Sequence, residues 1–265
     1  LFLGVFHWGI WGAALATCGS MFVCALLAMV PFVLGRAQLR FVRPRFRASM
    51  FRQIVTCGAP NFLNNIAGRI TSILLNAILV RLGGEAAVSI YGILMYVDGF
   101  IQPLLYGMCD SLQPAVGFNW GAGKFSRVRA IEKCCFAASA LISLLSFGVI
   151  LLCPEQITRI FVQSPAGEML QNTVGALRLF ALTYLTRWFS FATQSYMLAV
   201  EKPLPASLIS MGTALVFPVA LIAALWPLGL TGIWLNFAGT ALLSGLLALG
   251  TLFMLRPQLG RPDLG

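Results

Sequence analysis

The chain has 265 residues, of which 59% are hydrophobic and 10% are charged, and its formal net charge is +10. The mean hydropathy of +0.87 excludes an ordinary soluble domain and indicates a protein that crosses the membrane several times. A positive charge is also typical of nucleic-acid-binding proteins, but the positions of the basic residues along the chain exclude that class, as shown below.

Seven apolar segments are long enough to cross a bilayer, which takes about 20 residues for ~30 Å of hydrocarbon. They cover residues 11–34, 57–82, 86–123, 134–153, 174–199, 204–228 and 229–255. The stretch 154–173 is too polar to span, and it predicts an amphipathic helix at the membrane surface followed by a turn at 164–167. The sequence therefore predicts an all-α polytopic membrane protein with about seven transmembrane helices.

Basic residues are concentrated between alternate segments. Six arginines and no acid occur in 36–52, and the segments 36–52, 124–133, 201–202 and 256–265 together hold 13 of the 18 Lys and Arg residues. The positive-inside rule places these segments in the cytoplasm. Membrane topology thus explains the net charge, and the predicted partner is the lipid bilayer and not nucleic acid.

The third segment carries polar residues that need an explanation inside a membrane. Asp98, Gln102, Asp110 and Gln113 follow one another at helical spacing and form one slowly turning stripe, with Pro103 in the middle. An ionisable side chain at this depth costs roughly 2.5 kcal/mol or more, so it faces a cavity or a partner. We predict that the stripe lines a hydrated cavity; the alternative is a set of hydrogen bonds that only holds helices together.

Two other segments also contain polar groups near their centres. Asn61, Asn65 and Arg69 are spaced four residues apart on the second segment, and Arg187 and Gln194 lie on the fifth. We expect Arg69 to reach Asp98 or Asp110, and Arg187 to find a carboxylate, a carbonyl or cavity water. A permanent structural ion pair is the alternative to a substrate or ion site.

A repeat is visible within the chain. Residues 9–29, aligned with residues 229–249, match at seven positions that include Gly9, Gly12 and Gly19, and Arg36 then corresponds to Arg256. Six spans separate the two copies, so both cross in the same direction. The spacing predicts a duplicated six-helix unit in parallel orientation.

Several short motifs carry a family resemblance. Residues 111–130 read SLQPAVGFNWGAGKFSRVRA, residues 57–61 read CGAPN, and residues 9–17 read GIWGAALAT. In this order and spacing they resemble the multidrug and toxic compound extrusion (MATE) transporters. The resemblance implies two six-helix lobes and export of organic, often cationic, drug-like compounds in antiport with H⁺ or Na⁺. It implies no other cofactor and no metal, and a bacterial cytoplasmic (inner) membrane protein.

The resemblance also predicts how the chain is divided. Residues 1–35 correspond to the end of an N-terminal lobe, 36–56 to a basic cytoplasmic linker, 57–255 to a complete C-terminal six-helix lobe, and 256–265 to a cytoplasmic tail. The chain is expected to be truncated at its N-terminus, with the rest of the first lobe as a missing partner. Predicted kinks or hinges lie at Pro60, Pro103, Pro114 and Pro218.

One departure from the family pattern concerns the coupling ion. Some members of the family that this chain resembles use carboxylates on their seventh and tenth helices. The segments of this chain that match those two helices contain no Asp or Glu. A second-lobe cation site of that type is therefore not expected. Two alternatives stay open: a flippase for lipid-linked oligosaccharide, which a cavity lined by Arg69 and Arg187 would suit, and an inactive truncated fragment. An enzyme is not expected, because no nucleophile and base pair is present.

Overall fold

A computed structural model describes residues 8–35, 47–162 and 167–259, without the side chains of residues 53, 54, 56–61, 63, 64 and 256–259. The described residues are helical and contain no strand. The chain divides into two compact units, 1–54 and 55–265. The first unit contains helix α1 (Gly9–Val33), whose side chains are nearly all exposed.

The second unit contains most of the chain, and the boundary between the units falls within the first turns of the second helix. Helix α2 (Ala48–Gly121) is followed by α3 (Phe125–Leu152), α4 (Pro154–Phe161), α5 (Gly167–Ala181) and α6 (Thr183–Ala199). Then come α7 (Pro203–Met211), a π-helical turn (Gly212–Val216), α8 (Phe217–Leu225), a 3₁₀ turn (Trp226–Leu228) and α9 (Gly229–Leu259). Helix α2 begins inside the predicted linker 36–56, so the end of that linker is already helical.

Helix α2 consists of two limbs, 48–83 and 85–121. Gly84 separates them with φ of 61° and ψ of −151°, a conformation that favours glycine because it has no Cβ. The chain reverses there, since Ser72 of the first limb lies beside the hydroxyl of Tyr91 in the second. Gly83 makes the turn compact, because a Cβ at this position would meet Ala87 and Leu230 at under 3 Å.

The apolar helices confirm the predicted fold class. Four helical segments are long and apolar enough to cross a membrane: 9–33, 65–121, 125–152 and 203–255. The second and fourth are 57 and 53 residues long, more than twice what one crossing needs, and each is divided by a glycine of positive φ, Gly84 or Gly229. With α5 and α6 as the remaining pair, the helices correspond to the seven predicted spans.

The predicted span 174–199 tightens locally at Leu182, where α5 (ending at Ala181) meets α6 (beginning at Thr183). Leu182 keeps helical backbone angles, with φ of −56° and ψ of −24°, and its amide donates to the carbonyl of Leu179 in a single 3₁₀ step. No glycine or proline marks this step in the sequence. It lies immediately before the residues that build the cavity described next.

Two apolar clusters pack the second unit. The larger joins both limbs of α2 to α5, α6 and α9 through side chains such as Leu79, Leu94 and Tyr184, which are fully buried. The smaller joins the end of α2 to α3 and α6 around Val116 and Met197. These clusters hold α6 against the second limb of α2, and so fix the walls of the cavity.

Candidate functional site

An open cavity of about 450 Å³ lies within the second unit, among α2, α5 to α9 and the π-helical turn. Its described lining contains three charged side chains, Arg69, Asp98 and Arg187, among hydroxyl, amide and aromatic groups. A volume of this size suits a small organic molecule. Within the described residues, no group of three or more His, Cys, Asp and Glu side chains lies close enough together to hold a metal ion.

The centre of the cavity wall is an ion pair between α6 and the second limb of α2. The Arg187 guanidinium donates to both carboxylate oxygens of Asp98, from Nη1 to Oδ1 at 2.7 Å and from Nη2 to Oδ2 at 3.3 Å. The hydroxyl of Tyr184 donates to Oδ1 at 2.7 Å. The side chains of Arg187 and Asp98 are 17% and 10% exposed. The carboxylate is therefore neutralised and held from two sides in a site largely shielded from solvent.

The surroundings of this pair fix its geometry. Tyr184 is fully buried, and its backbone carbonyl accepts a hydrogen bond from the hydroxyl of Ser143 on α3. The Arg187 guanidinium carbon lies 5.2 Å from the centre of the Phe191 ring, a cation–π distance. The ring of Tyr106 stacks on Phe191 at 4.5 Å. Arg187 thus lies between a carboxylate and an aromatic face.

Arg69 does not behave as expected. It lines the cavity but forms no ion pair with any carboxylate of the described residues. Arg69 and Asp98 are 15 and 14 residues from Gly84, or roughly 20 Å along each limb, so they lie at similar depth. The predicted pairing of Arg69 with Asp98 or Asp110 is nevertheless wrong. Asp98 binds Arg187 and Tyr184, and Asp110 accepts hydrogen bonds from neutral side chains. The expectation that Arg187 finds a carboxylate is confirmed.

The predicted stripe is divided between two places. Asp98 and Gln102 line the cavity, whereas Asp110 and Gln113 lie outside its lining. Asp110 is exposed and its Oδ1 accepts hydrogen bonds from Gln113 Nε2 at 3.0 Å and from Ser195 Oγ at 3.1 Å. More than three helical turns separate these residues from Asp98, and the slow drift of the stripe moves them off the cavity wall.

The remaining predicted residues also separate. Asn65 and Gln194 line the cavity, and Gln194 Nε2 donates to Ser210 Oγ on α7 at 3.2 Å. The side chains of Asn61 and Pro60 lie outside the described residues. Whether the residues that line the cavity bind a substrate or an ion stays a prediction.

Helix α2 keeps helical backbone angles at Pro103 and Pro114. Before Pro218 the helix changes to a π-helical turn, which frees backbone carbonyls from their usual partners. Thr71 donates to the carbonyl of Ala214 at 2.6 Å, and Asn236 donates to that of Pro218 at 3.1 Å. The hinge roles of these prolines stay predictions.

Sequence reasoning did not identify Tyr184 or Thr183 as parts of the charged centre. The position of Tyr184 three residues before Arg187 is the signal that could have placed it on the same face. Thr183 lines the cavity, is 3% exposed, and its hydroxyl has no hydrogen-bond partner among the described residues. Nothing in its sequence context distinguishes it from a packing residue.

Comparison with known proteins identifies relatives of the same kind. The MatE family model matches residues 60–223. The multidrug export protein MepA of Staphylococcus aureus is 24% identical over 254 residues, which are 94% of this chain and 54% of that protein. MepA of Staphylococcus haemolyticus is 23% identical over 257 residues, 96% of this chain and 56% of that protein. The chain therefore spans about half the length of these relatives.

Solved structures share the fold. An outward-facing multidrug resistance MATE family transporter of the MOP superfamily superimposes with a TM-score of 0.86 at 19% identity, covering 98% of this chain and 59% of that one. A MOP superfamily transporter from Pyrococcus furiosus, described as having a binding pocket of reverse polarity, gives a TM-score of 0.85 at 18% identity, with 98% and 59% covered. An inward-facing transporter gives 0.77 at 20% identity, with 98% and 60% covered.

Proposed function

Because the MatE family model matches more than half of its residues, the chain belongs to the MatE family, the multidrug and toxic compound extrusion transporters, and we propose that it is a multi-pass secondary-active exporter of amphipathic organic compounds in the bacterial cytoplasmic membrane. The family consists of transporters and not of enzymes. The relatives named as multidrug export proteins support this substrate range.

The observation that carries the proposal is a cavity with charged and aromatic walls at membrane depth. A lipid-facing surface would not retain Asp98, Arg69 and Arg187, because charges in hydrocarbon are costly unless they meet a partner or water. The aromatic rings beside them can receive an apolar body of varied shape. Such a mixture suits compounds that have both an apolar and a polar part.

We propose that the coupling ion acts at Asp98, the carboxylate in the described lining. A proton on Asp98 would remove its charge and release Arg187 from the ion pair that joins α6 to the second limb of α2. A sodium ion at the carboxylate would compete with the guanidinium in the same way. Either ion would therefore change the contact between two cavity walls, which is what alternating access needs.

An organic cation would meet the same competition. Because the carboxylate of Asp98 already holds a guanidinium and a hydroxyl, a cationic substrate has to displace Arg187 or bind through aromatic rings such as Tyr106. Cationic substrates, which the family resemblance implies, are thus expected to compete with the coupling ion at this residue.

A second candidate is a flippase for lipid-linked oligosaccharide, favoured by Arg69, a cavity cation without a carboxylate partner among the described residues. A guanidinium at this position suits a phosphate or diphosphate group. An exporter and a flippase differ in whether the apolar part of the substrate leaves the bilayer.

The proposal is tested by reconstituting the chain in liposomes with a fluorescent organic substrate and imposing either a pH gradient or a Na⁺ gradient. Gradient-driven movement of the compound, lost in Asp98→Asn, supports an exporter coupled at Asp98. The matched control is Asp110→Asn, which changes a carboxylate of the same helix outside the cavity lining and should leave transport within about two-fold of the parent chain.

Three outcomes assign the mechanism. Movement with the pH gradient alone identifies H⁺ as the coupling ion, and movement with the Na⁺ gradient alone identifies Na⁺. Absence of movement under both gradients, from a preparation whose unfolding is still cooperative, overturns the exporter proposal. Scrambling of a fluorescent polyprenyl diphosphate without movement of soluble compounds supports the flippase instead.

A further inference from the structure

We infer that the cavity binds amphipathic organic anions through Arg69, in preference to organic cations of the same shape. The inference rests on the proposed function, because it names the substrate class of the same cavity. It departs from the cationic substrates that the family resemblance implies.

The first observation is the charge balance of the cavity. Its described lining holds two guanidinium groups and one carboxylate. The carboxylate of Asp98 is bound to Arg187 by two hydrogen bonds and to Tyr184 by a third. The cavity therefore has an excess of one positive charge, and that charge belongs to Arg69. An anion is attracted to such a site and a cation is repelled.

The second observation is the position of Arg69. It lies on the first limb of α2, roughly 20 Å along the helix from the turn at Gly84, and hence within the thickness of a bilayer. A guanidinium at this depth without a carboxylate needs water, a carbonyl oxygen or a bound anion. The guanidinium also suits a planar or tetrahedral oxyanion, because it can donate two parallel hydrogen bonds.

Neutral groups of the cavity complete a site for an amphipathic molecule. Gln102 and Gln194 supply amide groups in the same lining, which can donate to a polar oxygen. Phe180, Phe191 and Phe237 supply apolar ring surface in the same lining. An aromatic or acyl body can lie against these rings while its acidic group reaches Arg69.

The charge of the ligand has a consequence for the driving force. Moving one negative charge outward across an inside-negative membrane is favourable. Anion export is therefore expected to respond to the membrane potential, whereas cation export is expected to respond to competition at Asp98.

The test compares two probes that share one aromatic body, 1-pyrenesulfonate and 1-pyrenemethylammonium, for binding to the purified chain. We expect the sulfonate to bind about ten-fold more tightly, the usual effect of one charge-assisted hydrogen-bonded contact. Arg69→Gln should abolish this preference, and Arg69→Lys should retain part of it. Asp98→Asn should tighten the sulfonate several-fold, since it leaves Arg187 unpaired.

The matched control is Arg81→Gln, which removes an exposed arginine of the same limb outside the cavity lining and should change neither affinity. Equal or tighter binding of the ammonium probe overturns the inference. Sulfonate binding that is unaffected by Arg69→Gln also overturns it. Thermal unfolding of each variant shows whether a loss of binding follows from a loss of folding.

Two further experiments are needed. The first identifies the source of the anion, and the second tests the exporter proposal separately from the anion site. Displacement of the sulfonate by a polyprenyl phosphate, but not by the neutral polyprenol, assigns the site to a lipid headgroup; no displacement assigns it to soluble anions. In liposomes, binding without movement of either probe rejects the exporter while the anion site stands. Movement of the ammonium probe alone rejects the anion site while the exporter stands.

Discussion

The ion pair between Asp98 and Arg187 gives the most direct test of how the second unit is held together. Replacing Asp98 with Asn removes the charge but keeps the shape, and replacing Arg187 with Gln removes the guanidinium. Each single change leaves the other charged group at a site where it is 10% or 17% exposed. The double variant removes both charges together.

The expected magnitude follows from this burial. Breaking a fully buried pair costs 3–5 kcal/mol, roughly, because the remaining charge is uncompensated. The pair borders an open cavity, where water can solvate the remaining charge, so we expect each single variant to lose about 2 kcal/mol of unfolding free energy. The double variant should lose about the same, which gives a coupling energy of roughly 2 kcal/mol.

The assay is a double-mutant cycle from denaturant unfolding in mixed micelles, followed by intrinsic fluorescence. Asp110→Asn is the control, because its carboxylate is exposed and, among the described residues, is bonded to the neutral side chains of Gln113 and Ser195. It should cost under about 1 kcal/mol. Strictly additive losses for Asp98 and Arg187 would show that the ion pair does not join the two helices and would refute the reasoning.

Two further predictions concern glycine positions and are read from thermal unfolding in detergent. Gly232→Ala should strongly destabilise the fold, because a Cβ there would collide with the backbone carbonyl of Leu225; Gly250→Ala on the same helix meets nothing within 4 Å and should be neutral or slightly stabilising. Equal effects of these two changes would contradict the packing. Glu201 ends α6 in the left-handed region at φ 61°, and Glu201→Gly should raise stability by about 1 kcal/mol. Gly123 ends α2 in the same left-handed conformation, with φ of 67°. Gly123→Ala should therefore lower stability by about as much. Effects of the same sign at both helix ends would contradict this reasoning.

The repeat predicted from sequence has a backbone counterpart. Gly9 and Gly229, which the alignment places at equivalent positions, have φ values of 54° and 57°, and each begins a long helix. That backbone conformation favours glycine, so the spaced glycines reflect a shared local structure and not composition alone. The number of spans and the helical class were predictable for a similar reason, since both follow from local hydropathy.

Partner choice inside the cavity could not be predicted from the same information. The sequence placed Arg69, Asp98 and Arg187 at membrane depth but left two arginines competing for one carboxylate. Helix register and packing decide that competition, because they bring Tyr184 and Arg187 of α6 onto Asp98. The same registers move Asp110 away from the cavity and leave Arg69 in its wall.

By itself, the sequence determined that this protein is a bundle of membrane helices with charged side chains in its interior, because hydropathy, basic loops and glycine spacing are local properties that need no knowledge of contacts. Only the tertiary structure decided which charges neutralise each other and which charge the cavity keeps. An ion pair depends on a few ångströms of separation between helices, and that distance is set by side-chain packing across the whole unit.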